Sequence, residues 1–461
     1  MPEEFNENKF NIQRQAVLVI HGMGEQKPMD TLREFVESIA PEIPHSKKQK
    51  FFNKPDVLSE TFELRRLTAN EHRFTFKTDY FEYYWAHKMS GTKLMDVLWW
   101  FWTILLRRPK NIPDRLRWIY WFFWVSIFMS LLFILSYPLM KEDKCPENLI
   151  KNIYDYDFVK THFCCYLKFV GKYLGSLTWL GINFFLIYYL GDVVRYTTPR
   201  AGNIKERQDI RETGIELLRK LHDAKIDVRN KDGSTYKRNK YDRIIVVGHS
   251  LGAVVAYDLI KFLWIKHNGT IKLTDTQLTE IEDAAYNLSK NPTAKNRDTF
   301  REIQLKLWKS QFNRLDSWRV SDFITLGSPL AHAKLLLAGN PEELVKKQAE
   351  REYPTCPPTP EGEKTFHFPI SEVNFLHHAA PFALTRWTNI TFEKDFVGGN
   401  NHVFGHGVEN HFLRTKSKTG NIIPFWSHIG YWNKKEKEMI NLIRKKMQLR
   451  IPTPQDKSEV N

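Results

Sequence analysis

Ile244-Ile-Val-Val-Gly-His-Ser-Leu-Gly252 is the stretch that decides how this chain folds. It reads as a buried strand closing in Gly-x-Ser-x-Gly, with Gly248, Ser250 and Gly252 in the fixed positions. The helix-like run Ala253-Val-Val-Ala-Tyr-Asp-Leu-Ile260 follows at once. Strand, tight turn and helix in that order are what a nucleophile elbow requires. The serine sits at a cramped backbone turn, and flanking glycines remove the Cβ atoms that would clash there. The helix aims its N-terminus at the serine and favours negative charge developing nearby. In a different setting the same five residues would be a Gly-rich turn of some other α/β fold.

Around this stretch, 461 residues allow one large α/β domain with insertions, or two domains. The hydrophobic fraction is 42%, and 14 Trp with 32 Phe make a heavy aromatic load that is unevenly spread. The formal charge is +15, yet no nucleic-acid-binding motif accompanies it. Much of the positive charge lies beside apolar segments or in Lys434–Arg450, so the expected partner is an anionic bilayer surface. Cys145, Cys164, Cys165 and Cys356 show neither Cys-x-x-Cys nor zinc spacing, and they define no disulfide framework. A reducing compartment is therefore permitted. Met1–Gln15 is polar and lacks the apolar core of a signal peptide.

Trp118–Met140 is a run of 23 residues without a charge. As a helix it measures about 34 Å, enough to cross a hydrocarbon core of about 30 Å. Leu174–Leu190 is shorter and contains Asn183, but it lengthens towards Phe169 if Lys172 snorkels to the interface. Two crossings keep the segments before and after them on one side of the bilayer, which one crossing would not. The pair reads as a transmembrane hairpin, near 118–140 and 169–190, joined by Lys141–Lys168. Arg107, Arg108, Lys110, Arg115 and Arg117 precede it, and Arg195, Arg200 and Lys205 follow it. That flanking charge favours a cytoplasmic placement of the globular parts. Leu94–Leu106 is too short to cross and reads as an interfacial helix or a buried one.

Three segments carry a family resemblance: Val19-Ile-His-Gly-Met-Gly-Glu25, Asp242-Arg-Ile-Ile-Val-Val-Gly-His-Ser-Leu-Gly252 and Phe323-Ile-Thr-Leu-Gly-Ser-Pro-Leu330. Together they resemble the α/β-hydrolase superfamily, particularly its lipase- and esterase-like members. The resemblance covers residues 14–90 and 203–435 and leaves the hairpin outside. It implies an oxyanion hole built from backbone N–H groups of Leu251 and of Gly22 or Met23, with His21 anchoring the turn. It also implies a triad in the order nucleophile, acid, histidine.

For the acid, Asp395 is expected, because it follows the strand Arg386–Phe392 and precedes Gly398 and Gly399. Glu393 and Asp322 are its rivals; Asp322 opens its strand and should lie at the wrong edge of the sheet. Asp258 reads as structural. For the histidine, His428 in Pro424-Phe-Trp-Ser-His-Ile-Gly-Tyr-Trp432 resembles the superfamily's terminal histidine loop. His402, His406 and His411 also follow the acid, but their polar loop fits no firm metal pattern. His377 and His378 precede the acid, and His249 inside the elbow is not the base. The implied chemistry is attack by Ser250 on a carbonyl carbon, with His428 taking its proton and Asp395 fixing the imidazole tautomer.

The expected architecture is an α/β-hydrolase fold, a mostly parallel sheet flanked by helices, with the inserted transmembrane hairpin. Strands are read at 16–21, 75–85, 242–247, 322–327 and 386–392. Residues 1–90 and 203–450 share the hydrolase domain, 91–202 form the membrane insertion, and 451–461 a tail. Polar Ile271–Asn313 reads as a cap, Tyr353–Lys364 as a loop, and Glu82 as a satisfied edge-strand charge. No metal or cofactor is expected. The expected function is ester hydrolysis on lipid-like substrates. Acyl transfer, thioester or amide cleavage, and a catalytically inactive membrane-tethered scaffold remain alternatives.

Overall fold

The computed structural model describes residues 14–22, 27–39, 51–55, 65–69, 77–89, 102–136, 154–161, 163, 165–166, 191–230, 232–311, 314–315, 317–370, 373–422 and 424–449. Two compact units divide the chain: Met1–Ser90 with Pro199–Asn461, and Gly91–Thr198.

The strands of the first unit are β1 (Arg14–Ile20), β2 (Phe51–Pro55), β3 (Arg65–Ala69), β4 (Lys77–Tyr83), β5 (Lys225–Arg229), β6 (Thr235–Asn239), β7 (Arg243–His249), β8 (Val320–Leu326), β9 (His367–Ile370), β10 (Val373–Leu376), β11 (Arg386–Phe392) and β12 (Glu409–Leu413). Eight of them form the central sheet in the order β12-β11-β8-β7-β1-β4-β3-β2. From β12 to β4 all neighbours pair in parallel, while β3 and β2 are added antiparallel. The remaining four strands form two separate hairpins. The α/β class follows from this parallel sheet with its flanking helices.

Every residue of β7 and of β8 is buried, as a central strand covered on both faces requires. On one face Val17, Val19, Ile245, Val247, Ile324 and Ile390 pack beneath Leu32, Phe35, Met439 and Ile443, from the helices Asp30–Ile39 and Lys437–Lys446. Each such side chain contributes roughly 1.5–3 kcal/mol by leaving water. The helix Leu251–His267 packs on β7 and β1, and Ile204–Asp223 packs beside it.

Register aligns the carboxyl ends of the strands. Ile20 lies beside Gly248, Gly248 beside Thr325, His249 beside Leu326, and Leu326 beside Ile390. Whatever follows these residues therefore gathers along one edge. The other edge is tied by ion pairs. Asp322, at the start of β8, meets Arg243 at 2.5 Å and Arg386 at 2.8 Å, and Glu409, at the start of β12, meets Lys446 at 2.6 Å and Arg301 at 2.8 Å.

Two expectations need correction. Residues of Ile271–Asn313 form the helices Asp275–Lys290 and Ala294–Ser310, and the second lies on the sheet rather than capping a site. Buried Arg301 donates to Trp387 O and Thr388 Oγ1, which open β11 at the end away from Asp395, and Gln304 donates to Phe382 O. Two of the polar residues in this stretch, Arg301 and Gln304, are here fasteners to the sheet and its flanking turn, while many of the others are exposed. Glu82 is not on an edge strand: β4 lies between β1 and β3, and Glu82 is buried.

In the second unit, the helix Asp114–Ser136 covers much of the first expected span. Tyr120 donates to Leu105 O and Arg107 O, while Trp118, Trp121, Phe122, Val125, Phe128 and Leu131 are each between 51% and 59% exposed. Their spacing of three and four residues puts a broad apolar surface on the helix. Among the described residues no helix is long and apolar enough to cross a membrane. Residues 137–140, the second expected span at 169–190 and most of Lys141–Lys168 lie outside them, as do 94–101 of the interfacial segment. Cys165 is disulfide-bonded, which the spacing of the cysteines did not foretell, whereas Cys356 in the first unit is a buried free thiol.

Candidate active site

Ser250 follows β7 and N-caps the helix Leu251–His267 with φ 52° and ψ −130°. A non-glycine residue in this region is strained, and the surrounding packing holds it there. A Cβ on Gly248 would lie 2.5 Å from Ala253 Cα, and one on Gly252 would run into the carbonyls of Ile20 and His21. Both glycines are thus needed, the first to close the turn and the second to seat the helix on the end of β1. Gly22 is pressed against the serine, since a Cβ there would stand 2.8 Å from Ser250 Cβ.

His21 anchors that turn. Trp85 N donates to His21 Nε2 at 3.3 Å, so the ring proton lies on Nδ1, which donates to Gly22 O at 2.8 Å. The ring stacks on Trp85, and burial lowers its pKa to about 4, keeping it neutral. Leu251 opens the helix with its backbone beside the serine, and Met23 lies outside the described residues.

His428 ends the short helix Pro424–His428. Its Nε2 is 2.8 Å from Ser250 Oγ, and its Nδ1 is 2.9 Å from Asp395 Oδ2 and 3.1 Å from Oδ1. With the carboxylate accepting at Nδ1, the Nε2 lone pair faces the serine hydroxyl. Asp395 Oδ1 also accepts from Val397 N at 2.9 Å and Gly398 N at 3.1 Å. Burial would raise the Asp395 pKa, but His428, Tyr431 and the Gly398 N–H overcome it and hold the group at about 2. The acid therefore stays ionised beside the imidazole.

Tyr431 was not singled out in the sequence. Its hydroxyl donates to Asp395 Oδ2 at 2.7 Å and accepts from Phe392 N at 3.0 Å, linking the acid to the end of β11. The signal available was only its place three residues after His428, in the turn that follows the helix. Gly327, of the Gly-Ser-Pro turn, also matters here: its φ is +54°, and a Cβ would meet Asp395 Oδ2 at 2.7 Å.

The rival residues lie elsewhere. Asp322 is held well below the carboxylate range because Arg386 and Arg243 outweigh the effect of burial, and it stands at the opposite edge. Asp258 pairs with Arg211 at 2.6 Å, and Glu393 pairs with Arg414 at 3.4 Å. His402 and His406 face one another with ring centres 5.1 Å apart, and His411 bonds Glu409. His377 pins Thr359 O and Ala379 N. His378 is exposed beside it.

Among the described residues, His222, Asp223 and His267 have potential metal-ligand atoms within 4.8 Å of one another. However, His222 Nε2 accepts from Arg319 N at 3.1 Å, which leaves the proton on Nδ1, facing Asp223 Oδ1 at 3.1 Å. That nitrogen has no lone pair to offer, and the cluster reads as a hydrogen-bonded helix end. A cavity of about 570 Å³ adjoins the histidine loop, lined by Trp426, Ile429, Gly430, Trp432, Glu34 and Glu37. Comparison with protein-family models, with curated proteins and with solved structures finds no match to the chain.

Proposed function

We propose that this chain is a membrane-anchored serine hydrolase that cleaves carboxylic esters of lipid-like molecules through Ser250, His428 and Asp395. One observation carries the reading: an unbroken hydrogen-bonded series from Asp395 Oδ2 through His428 to Ser250 Oγ, with links of 2.9 and 2.8 Å. Its members follow β7, β11 and β12 along the chain in the order expected of the α/β-hydrolase superfamily, which the chain resembles.

In this mechanism His428 Nε2 takes the Ser250 proton as Oγ attacks the ester carbonyl carbon. The imidazolium is stabilised by the ionised Asp395, which keeps the ring in the tautomer needed for attack. Negative charge on the carbonyl oxygen is received by backbone N–H groups of Leu251 and of the Gly22–Met23 turn, with the helix N-terminus behind them. His428 returns the proton to the leaving alcohol, and water attacks the acyl-serine with His428 again as base. Exposed Trp426 and Ile429 flank the histidine and offer apolar surface to an acyl chain.

The membrane part of the proposal is a hairpin at 118–140 and 169–190, with the hydrolase unit on the cytoplasmic side. The apolar surface on Asp114–Ser136 supports it.

Hydrolysis of p-nitrophenyl esters of increasing chain length by wild type, Ser250→Ala and His428→Ala tests the reading. Wild type should turn over, and each variant should lose at least about a thousandfold in kcat. Equal rates in wild type and Ser250→Ala would contradict it. Folded but inactive wild type would favour the scaffold reading, and an added alcohol that captures the acyl group would favour transfer.

A further inference from the structure

We propose that His249 is a positioning residue that ties the base to the nucleophile by holding the main chain of His428 on the strand that ends in Ser250. This rests on the serine-hydrolase reading above.

His249 closes β7, immediately before Ser250, and is 6% exposed. Its Nε2 donates to His428 O at 3.0 Å. The bond reaches the backbone of His428 and so sets the height of the whole imidazole above the elbow, independently of the ring's own rotamer. Nucleophile and base come from segments far apart in the sequence, and this side chain bridges them directly. The His249 ring also stacks on that of His428, with centres 5.1 Å apart and an interplanar angle of 26°, while Trp432 packs edge-on against it at 4.7 Å. These contacts leave His249 little rotational freedom, so its donor is pre-aimed.

The same contacts settle its charge. Burial, with His428 adding to the effect, lowers the His249 pKa to about 3. His249 Nδ1 is a buried acceptor with no hydrogen-bond partner among the described residues, so nothing rewards a second proton. A neutral ring can lie against His428 when that residue becomes an imidazolium; a charged one would oppose it. Asp395, His21 and Tyr431 are the other titratable groups around the ring, and Asp395 is already committed to His428. His249 touches no reacting atom. Its role is the Ser250–His428 distance, and misplacing such a pair by about 1 Å can cost a hundredfold in rate.

The test compares wild type, Ser250→Ala, His249→Phe and His249→Gln, each as the full chain in membranes. A fluorophosphonate probe gives the labelling rate, and p-nitrophenyl butyrate gives kcat and KM. Phe keeps the packing without the donor, whereas the Gln amide nitrogen reaches the position of Nε2. His249→Phe should lose about tenfold or more in labelling rate and kcat with KM within about twofold, and His249→Gln should recover most of the loss. A packing role alone would lower thermal stability and leave kcat and the Phe–Gln difference unmoved. Equal rates for His249→Phe and wild type, or for His249→Phe and His249→Gln, would overturn the proposal. If His249→Phe does not fold, His249→Asn replaces it, its amide being too short to reach His428 O. Wild type that labels no faster than Ser250→Ala would instead bring down the serine-hydrolase reading, and this proposal with it.

Discussion

Asp395 collects more bonds than orienting one histidine requires, and Tyr431 supplies the one with the clearest consequence. In Tyr431→Phe, Asp395 loses a donor and the buried Phe392 N–H loses its acceptor. Denaturant unfolding should show a loss of about 1–3 kcal/mol, and kcat should fall with it. Glu82 provides a pH-dependent counterpart. Burial raises its pKa to about 7, with Asp30 adding to the rise and the Met29 N–H, 2.6 Å from Oε2, partly offsetting it. The unfolded chain releases this proton near its ordinary value of about 4.3, while the folded chain holds it to about 7. Stability should therefore fall as pH rises through that window, by up to about 3 kcal/mol from this group. Glu82→Gln, which still accepts from Met29, should flatten the dependence between those pH values. An unchanged slope in urea titrations across the window would contradict the assignment.

At the scale of elements, close approach of backbones is the recurring constraint. Gly327→Ala would place a methyl against Asp395 at a left-handed φ, so it should lower both stability and kcat. Gly233→Ala is a useful control, because its φ of +87° carries similar strain but nothing lies within 4 Å. It should cost stability alone, measured by thermal melts alongside ester turnover. The elements that were legible from sequence are the buried ones: β1 and β7 carry apolar runs because water is excluded from them, while β4, β8 and β11 mix aromatic and β-branched residues with buried polar ones. The edge strands β2 and β12 were missed, since neither has a fully buried residue and Phe51-Phe-Asn-Lys-Pro55 and Glu409-Asn-His-Phe-Leu413 offer no apolar run or clean alternation. Ser250, His428 and Asp395 were legible because chain order and flanking turns constrain them. Tyr431 and His249 act through contacts between distant segments, which no local pattern records. Ala294–Ser310 misled for the same reason, as Arg301 and Gln304 are polar yet buried.

For the whole molecule, a long insertion sits between the strand β4 and the helix that leads towards β7, yet the sheet closes across it. If that insertion is a membrane hairpin, protease added to sealed vesicles should digest the unit that carries the sheet and spare Lys141–Lys168. Cleavage confined to Lys141–Lys168 would reverse the orientation, and release of the intact protein by alkaline carbonate would remove the hairpin. The sheet itself separates two kinds of edge: ion pairs such as Arg243–Asp322 at the start of its strands, and the serine, histidine and aspartate beyond their ends. The claim that this second edge is catalytic is tested most directly by mapping the adduct of a fluorophosphonate on the intact protein. Peptide mass spectrometry should find the phosphonate on Ser250 in wild type and none in Ser250→Ala or in heat-denatured protein. An adduct on another residue, or no adduct on folded wild type, would contradict it.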